Sequence, residues 1–480
     1  MQRILTAKQM RDADDFTINK LGIPEDELVD RAGQAVAVEI LKRKKGGRVL
    51  ICCGKGNNGE DGKIVAKTLY PHHGFAVNIF DIENDDLSIF NNDYDIIVDC
   101  LLGTGLNRAV SGKYYDVIEK INQKGCYVVA CDIASGLNAD TGLAMGIAVK
   151  ANLTVAVQEF KTGHFLNDGL DYSGEVVSTD IGISIWGDDY AYRMTGVMVK
   201  EFFPKRIRNT NKGHYGRVCI IGGSKPFPGA PLLSEAGYAS LKMGTGYAKL
   251  AVPQSMYSIY AGLRPECTMH VLPDNDDGIA FSEDAINPLL NNDAIAIGIG
   301  MGVSEDVYKT ICYLLKNYKG KLIIDADGLN SLSKYGVDVL KDKTCSVLVT
   351  PHIKEFSRLT GLSVDEIKND SINLAKQFAL DYDVVVCLKN AVSIITDGVK
   401  VCINTRGTPA MAKGGNGDVL TGVILGVSAK QNLYDSASAG AYVLGRAGQW
   451  AAREHGEYSV TATDITEQIG RVVLRLEQTF

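Results

Sequence analysis

Gly414-Gly415-Asn416-Gly417-Asp418 runs directly into Val419-Leu420-Thr421-Gly422. Glycines leave backbone N–H groups bare, and a helix that starts here turns its positive end toward the same spot. An anion held by Gly414, Gly415, Asn416 and Gly417 beside Asp418 describes phosphoryl transfer. Asp418 would be the general base, and the N–H groups would stabilise the spread charge of the moving phosphoryl. A plain helix cap is the alternative, but a cap rarely needs this whole combination. Other segments that follow strands would support such a site. Asp325-Ala326-Asp327-Gly328 supplies carboxylates, and Pro351 cuts a strand short in Thr350-Pro351-His352. Lys389-Asn390-Ala391-Val392-Ser393 offers polar and backbone groups to a nucleotide, and Gly298 to Gly302 permits close approach to a ring or ribose.

A second glycine-rich segment lies far upstream: Gly54-Lys55-Gly56-Asn57-Asn58-Gly59-Glu60-Asp61-Gly62. It follows a strand and precedes a helix, a context that suits phosphate. Gly54, Gly56 and Gly59 satisfy G-x-G-x-x-G, a weak signal alone, and a surface turn capped by Asn and Asp is the less favoured alternative. The two asparagine amides can bind phosphate or offer oxygen to a cation. Asp99 starts another glycine turn at a strand tip, and its Arg108 can meet a phosphate. Asp132-Ile133-Ala134-Ser135-Gly136 is a third strand-end segment. Asn58, Asp99 and Ser135 with backbone carbonyls could make an all-oxygen cage, suited to a hard cation and not to zinc. Capping or a turn bond is the alternative for Asp99 and Asp132. No Ser-His-Asp arrangement is legible. Two such loops in one chain suggest two active sites.

Alternating strands and helices must position these residues. Arg48 to Cys53, Ala76 to Phe80, Tyr94 to Cys100, Cys126 to Cys131 and Leu153 to Val157 read as strands, with a helix from Gly62 to Tyr70. Thr6 or Asp12 can cap helical segments running to Asn19, and Pro24 to Leu41 is another helix. Periodicity fades and charge rises near residues 200 to 212. The rhythm then restarts with a strand at Val218 to Ile221 and a helix at Pro231 to Met243. Later strands are Ala294 to Ile299, Lys321 to Ile324, Ser346 to Val349, Val384 to Leu388 and Ala391 to Ile395. Small, apolar helices follow Gly415. The expected class is α/β, with mostly parallel sheets and ligands at the carboxyl ends of strands. With 480 residues, 45% apolar, the chain exceeds one ordinary core. The 51 glycines and 12 prolines show no repeat period, which excludes collagen and fits a loop-rich enzyme. A net charge of -7 argues against a nucleic-acid or polybasic membrane partner. The 11 cysteines are scattered without metal spacing, so reduced thiols in the cytoplasm are expected. The N-terminus has no apolar core of signal length, and no stretch is long and apolar enough to span a bilayer.

Residues 1–205 resemble the YjeF N-terminal family, the epimerases of hydrated nicotinamide dinucleotides. The resemblance rests on Gly54 to Gly62, Val98 to Leu106, Asp132 to Gly136, Leu28 to Gly33 and Lys161-Thr162-Gly163-His164. It implies a Rossmann-like three-layer sandwich. It also implies a dinucleotide held by Asn57, Asn58, Gly59, Glu60 and Asp61 and by Gly103, Thr104, Gly105, Leu106, Asn107, Arg108 and Ala109. Asn58, Asp99 and Ser135 would hold a potassium ion, and Asp132 would act as acid–base group at the nicotinamide. Two residues depart from the family pattern: Glu60 stands for a glycine and Ala134 for a proline. An inward Glu60 would repel a phosphate, and a position requiring φ > 0 would strain it.

Residues 206–480 resemble the ribokinase-like superfamily and, more closely, the nucleotide-dependent dehydratases of hydrated NADH and NADPH. Lys212 to Gly216, Ile221 to Ser224, Gly244 to Gly246, Asp325 to Leu329, Thr350 to His352 and Gly414 to Gly422 carry the likeness. It implies Asp418 as catalytic base, with substrate against Gly302, His352 and Asp418. It also implies a nucleotide against Lys389, Asn390, Ala391, Val392 and Ser393 and against Gly414, Gly415, Asn416 and Gly417. Ala410 and Asn416 depart from the usual glycine and threonine. The expected donor is ADP, or ATP, with magnesium, and a homo-oligomer is expected. The two halves together would repair NAD(P)H hydrates, the first interconverting the R and S epimers, the second dehydrating the S form. The rival reading is a ribokinase-type small-molecule kinase fused to a non-catalytic nucleotide-binding module.

Overall fold

The computed structural model describes residues 2–225, 230–276 and 278–478. The chain divides into two compact units, Gln2–Ala191 and Tyr192–Phe480.

The N-terminal unit begins with strand β1 (Gln2–Leu5) and helices α1 (Ala7–Asn19) and α2 (Glu25–Arg43). Strand β2 (Gly47–Cys53), helix α3 (Asn57–Leu69), strands β3 (Phe75–Asp81) and β4 (Ile96–Cys100), helix α4 (Lys113–Gln123) and strand β5 (Tyr127–Cys131) follow. Strands β6 (Leu153–Val157), β7 (Phe160–Lys161) and β8 (Glu175–Thr179) complete it. Six strands form an all-parallel sheet in the order β3-β2-β4-β5-β6-β8. Successive strand residues point to opposite faces, and both faces are apolar here. Leu50, Ile97 and Ala130 pack toward Val117 and Ile118 of α4, whereas Val49, Val98 and Val129 pack toward Val36 of α2 and Val65 of α3. That double burial produces the three-layer sandwich. Connections run to opposite sides of β2, so the crevice outside β2 and β4 is a topological switch point, where α/β sheets bind ligands.

The C-terminal unit has a sheet in the order Thr268–Leu272, Tyr247–Pro253, Arg217–Gly222, Ala294–Ile299, Lys321–Ile324, Ser346–Val349, Val385–Leu388, Ser393–Thr396 and Val401–Asn404. The first seven are parallel, and the last two join antiparallel. The helices Asn416–Ser428, Leu433–His455 and Ala462–Gln478 share a core with Val218, Ile220 and Ala296 of the sheet. Gly422 lets the helix Asn416–Ser428 lie directly on its neighbour, because a Cβ there would stand 2.1 Å from the Ala236 carbonyl oxygen. The switch point lies between Arg217–Gly222 and Ala294–Ile299.

One expectation is corrected here. Helix α3 starts at Asn57 and not at Gly62, so Asn57 to Asp61 form its first turn. The glycines serve close packing and not a flexible loop. A Cβ on Gly59 would come within 1.9 Å of the Gly54 carbonyl oxygen, and one on Gly62 within 2.8 Å of Cys53 Sγ.

Candidate functional site

At the N-terminal switch point lies a cavity of about 790 Å³. Its wall includes Asn57, Asn58 and Asp61 from α3, the whole run Gly103 to Arg108 after β4, and Asp132 after β5. Gly59, Glu60 and Ala109 are not part of the wall. Glu60 is exposed on the first turn of α3, where an acidic residue suits the helix dipole, and pairs with Lys63 Nζ at 2.6 Å. Its φ is not positive, so neither the repulsion nor the strain expected for it arises.

Asp132 is a non-glycine residue at φ 63°, a conformation that costs of order 1–3 kcal/mol and collects at functional sites. Its Oδ1 accepts from the Val157 N–H at 2.9 Å and from Lys161 Nζ. Lys161 is 1% exposed, and its Nζ also donates to the Val157 carbonyl at 2.8 Å. The Lys161 N–H donates to His164 Nδ1 at 3.0 Å. The ring proton therefore sits on Nε2, which donates to the Asp132 carbonyl at 2.8 Å. Burial, assisted by Lys161, pulls His164 down to about 4, so the ring is neutral at physiological pH. Lys161 is a site residue that the sequence reading placed only in a family segment. Asp14 of α1, not anticipated at all, lines the same cavity.

Asn58, Asp99 and Ser135 meet around Leu102. Ser135 Oγ donates to Asp99 Oδ1 at 2.6 Å and accepts from the Leu102 N–H at 2.8 Å. The Ser135 N–H donates to Asp99 Oδ2 at 2.8 Å. Asn58 Nδ2 donates to the Leu102 carbonyl at 3.0 Å, while its Oδ1 is buried without a partner. Burial raises the Asp99 carboxyl to about 6, against the pull of the Ser135 hydrogen bonds. A buried carboxylate beside an orphaned amide oxygen fits a cation with oxygen ligands.

In the C-terminal unit Asp325, which is 1% exposed, stands at the end of the strand Lys321–Ile324. Its Oδ1 pairs with Lys389 Nζ at 2.6 Å, and its Oδ2 accepts from Thr421 Oγ1 at 2.6 Å. These bonds tie the strand Lys321–Ile324 to the strand Val385–Leu388 and to the helix Asn416–Ser428, so Asp325 is a strut and not a free carboxylate. Burial pulls Lys389 down, but the Asp325 charge wins and holds it above its ordinary value. Gly415 takes φ 93° as N-cap of the helix, and no side chain caps its first N–H groups. Asp418 occupies the first turn, half-buried. Burial and then Asp325 push its carboxyl up to about 7, opposed by Lys389, with Asp327 and Glu355 adding to the rise. His352 Nδ1 accepts from the N–H groups of Lys354 and Glu355, and Glu355 Oε2 accepts from the His352 N–H at 2.8 Å. Burial raises the Glu355 carboxyl to about 7.

A cavity of about 640 Å³ is lined by His352, Lys389, Asn390, Ser393, Gly414, Asn416 and Gly417. Ala391, Val392, Gly415, Gly302 and Asp418 do not line it. The Gly302 N–H is taken by Asp327 Oδ2 at 2.9 Å. Among the described residues no helix is long and apolar enough to cross a membrane.

Both units match known families. Residues 218–471 match the NAD(P)H-hydrate dehydratase family, and residues 25–88 and 77–163 match the YjeF-related protein N-terminus family. A bifunctional NAD(P)H-hydrate repair enzyme of Moorella thermoacetica is 34% identical over 99% of this chain and 97% of its own length. A relative of the same description from Thermofilum pendens is 30% identical, covering 100% of this chain and 97% of its own length. Among solved structures, an ADP/ATP-dependent NAD(P)H-hydrate dehydratase from Bacillus subtilis, co-crystallized with ATP/Mg2+, aligns with TM-score 0.51. It is 28% identical and covers 59% of this chain and 97% of its own. A ribokinase-like protein from Enterococcus faecalis, 20% identical with TM-score 0.51, shares the fold. With both halves matched and the relatives covered nearly end to end, the chain belongs to the family of bifunctional NAD(P)H-hydrate repair enzymes.

Proposed function

We propose that the N-terminal unit interconverts the R and S epimers of hydrated NADH and NADPH. The C-terminal unit then dehydrates the S form at the expense of ADP or ATP. The observation that carries this reading is a candidate site in each unit: Asp132 with Lys161 at the N-terminal cavity, and Asp418 on the first turn of an uncapped helix whose Asn416 and Gly417 line the C-terminal cavity.

Hydration of a dihydronicotinamide is addition of water to an enamine, which leaves the hydroxyl on the carbon bonded to the ring nitrogen. Hydroxide is a poor leaving group. Asp418 takes the hydroxyl proton as that oxygen attacks the terminal phosphoryl group, and the free N–H groups of Asn416 and Gly417 face the spread charge. Phosphate then leaves as the ring nitrogen pushes its pair inward, and loss of the neighbouring proton restores the double bond. With ADP the products are NAD(P)H, AMP and phosphate. Lys389, Asn390 and Ser393 line the space for the nucleotide, with His352 beside them. Magnesium would come with the nucleotide, and Asp327 and Glu355 are carboxylates near Asp418 that suit a hard cation. In the N-terminal unit, Gly103 to Arg108 and Asn57 suit the dinucleotide phosphates, and Asp132 with Lys161 handles protons at the ring. A potassium ion held by Asn58, Asp99 and Ser135 would supply a fixed positive charge beneath those phosphates. The cysteines being free and buried or half-buried accords with a reducing cytoplasm.

The test is incubation of mixed hydrate epimers with ADP, and separately with ATP, while dihydronicotinamide absorbance and inorganic phosphate are followed. Full recovery with matching phosphate is expected. A stable phosphoester without recovered absorbance would establish the kinase reading instead. Recovery that stalls once one epimer is spent would remove the epimerase.

A further inference from the structure

Three carboxylates that are not exposed line the N-terminal cavity: Asp61, Asp132 and Asp14. Asp61 faces the Cys131 thiol at 3.8 Å, and Asp132 is held by Val157 and Lys161. Among the described residues, nothing donates a hydrogen bond to the Asp14 carboxylate. It stands between Met10 and Ile18 on α1, all three lining the cavity. The i, i+4, i+8 spacing makes this one helical face. Arg11 and Asp15 of the same helix also line the cavity, but both are exposed, so Asp14 is the half-buried carboxylate that α1 brings to the ligand space without a hydrogen-bond donor among the described residues.

The helix holding it is firmly placed. Thr6 and Gln9 form a capping box at its start, and the Ala7 N–H donates to Asp140 Oδ1 at 2.6 Å. At its other end Thr17 Oγ1 accepts from the Ser184 N–H at 2.9 Å. Asp14 is therefore presented by a fixed wall. The charged groups around it are Lys161 of β7, Asp132 beyond β5, Asp61 of α3, Glu25 of α2, and Arg11 and Asp15 of its own helix.

Resting on the epimerase reading, we propose that Asp14 is the second proton-transfer group of this cavity, acting from helix α1 alongside the Asp132–Lys161 pair. Inversion at the hydroxyl carbon proceeds by loss and return of water. The C–O bond breaks as one group gives a proton to the departing oxygen, and the ring-nitrogen pair forms the C=N bond of an iminium. Water then adds to the other face. A new C–O bond forms, the π pair returns to nitrogen, and the second group takes the proton that the water sheds. One proton is given and one is taken, so no further reactant is needed. Asp132 and Lys161 are bound to each other and act as one unit, so the other proton transfer falls to Asp14. Burial raises the Asp14 carboxyl to about 6, with Lys161 opposing and Asp132 adding to the rise, so both its states are accessible near neutrality.

The experiment uses the full chain and purified R hydrate without nucleotide, with S formation followed from pH 5 to 9. Dehydration of S hydrate with nucleotide serves as an internal control of folding. Asp14→Asn should lower kcat for epimerisation at least roughly 10²-fold. KM should change little, one limb of the pH profile should vanish, and S dehydration should keep the wild-type rate. Asp14→Glu should restore part of kcat and bring back the limb. In ¹⁸O water the product epimer should carry label. Wild-type kcat with both limbs in D14N, or a loss confined to KM, overturns the assignment of Asp14 alone. A wild-type protein that leaves R hydrate unchanged overturns the epimerase reading and this proposal together.

Discussion

At Asp418 burial sets the charge of a group that must lose a proton to work. Its carboxyl is pushed up to about 7, chiefly by burial and then by Asp325. A base is useful only as the carboxylate, so phosphate release should fall about tenfold per pH unit below 7. In Asp418→Asn that release should fall by ~10²–10⁴ while epimerisation proceeds unchanged. Phosphate assays across pH on both proteins check this, and a D418N variant near wild-type rate would remove Asp418 from the chemistry. Asp132 and the Asn58–Asp99–Ser135 set stand out in the sequence because strand runs give way near them to glycine and polar residues, and Asp418 because it follows a glycine run at a helix start. Lys161 and Asp14 do not. A lysine becomes a site residue only when the fold buries its Nζ against a carboxylate. Asp14 carries no distinguishing signal in the sequence, since it stands in the acidic run Asp12 to Asp15 and only the fold shows which of these carboxylates is half-buried in the cavity.

Among the elements, α3 departs most from the sequence reading. The glycines of Gly54 to Gly62 looked like loop formers, yet Gly59 and Gly62 are helical and let α3 approach the strand ends. Gly59→Ala should therefore destabilise the N-terminal unit by roughly 1–3 kcal/mol and slow epimerisation through displaced Asn57 and Asn58. Gly56→Ala has nothing within 4 Å of the new Cβ and should be nearly silent. Thermal melts of the two variants separate these outcomes, and equal melting points would show that α3 yields easily. Buried strands such as Ala294–Ile299 and Lys321–Ile324 were readable to the residue, since unbroken apolar runs mark strands covered on both faces. Glu175–Thr179 and Thr268–Leu272 were missed. Both lie at sheet edges, where exposed polar residues break the pattern.

For the whole molecule, the question is where the chain can be cut. Met194 and Val199 are 3% and 0% exposed and belong to the core of the C-terminal unit, with Phe202 and Phe203 packed against it. Fragments 1–191 and 192–480 should each fold. A fragment starting at residue 206 loses Met194 and Val199 from that core and should melt several degrees lower. The 192–480 fragment should restore only one epimer of a mixed pool, and adding 1–191 should let recovery finish. If 192–480 alone restores both epimers at similar rates, the division of work between the units is wrong. If 206–480 melts with 192–480, the segment from Tyr192 contributes nothing to the core.

The imidazole of His164 offers a means of observing the N-terminal unit in solution. Its Nδ1 is an acceptor for the Lys161 N–H, its Nε2 carries the proton, and its titration lies near 4. In a ¹⁵N-resolved spectrum it is therefore a single tautomer whose shifts stay flat around neutral pH. The Nε2 proton, shielded from solvent and bonded to the Asp132 carbonyl, exchanges slowly enough to give its own resonance. That resonance reads the backbone turn that presents the Asp132 carboxylate, so a spectrometer can follow whether the turn holds when hydrate or potassium is added.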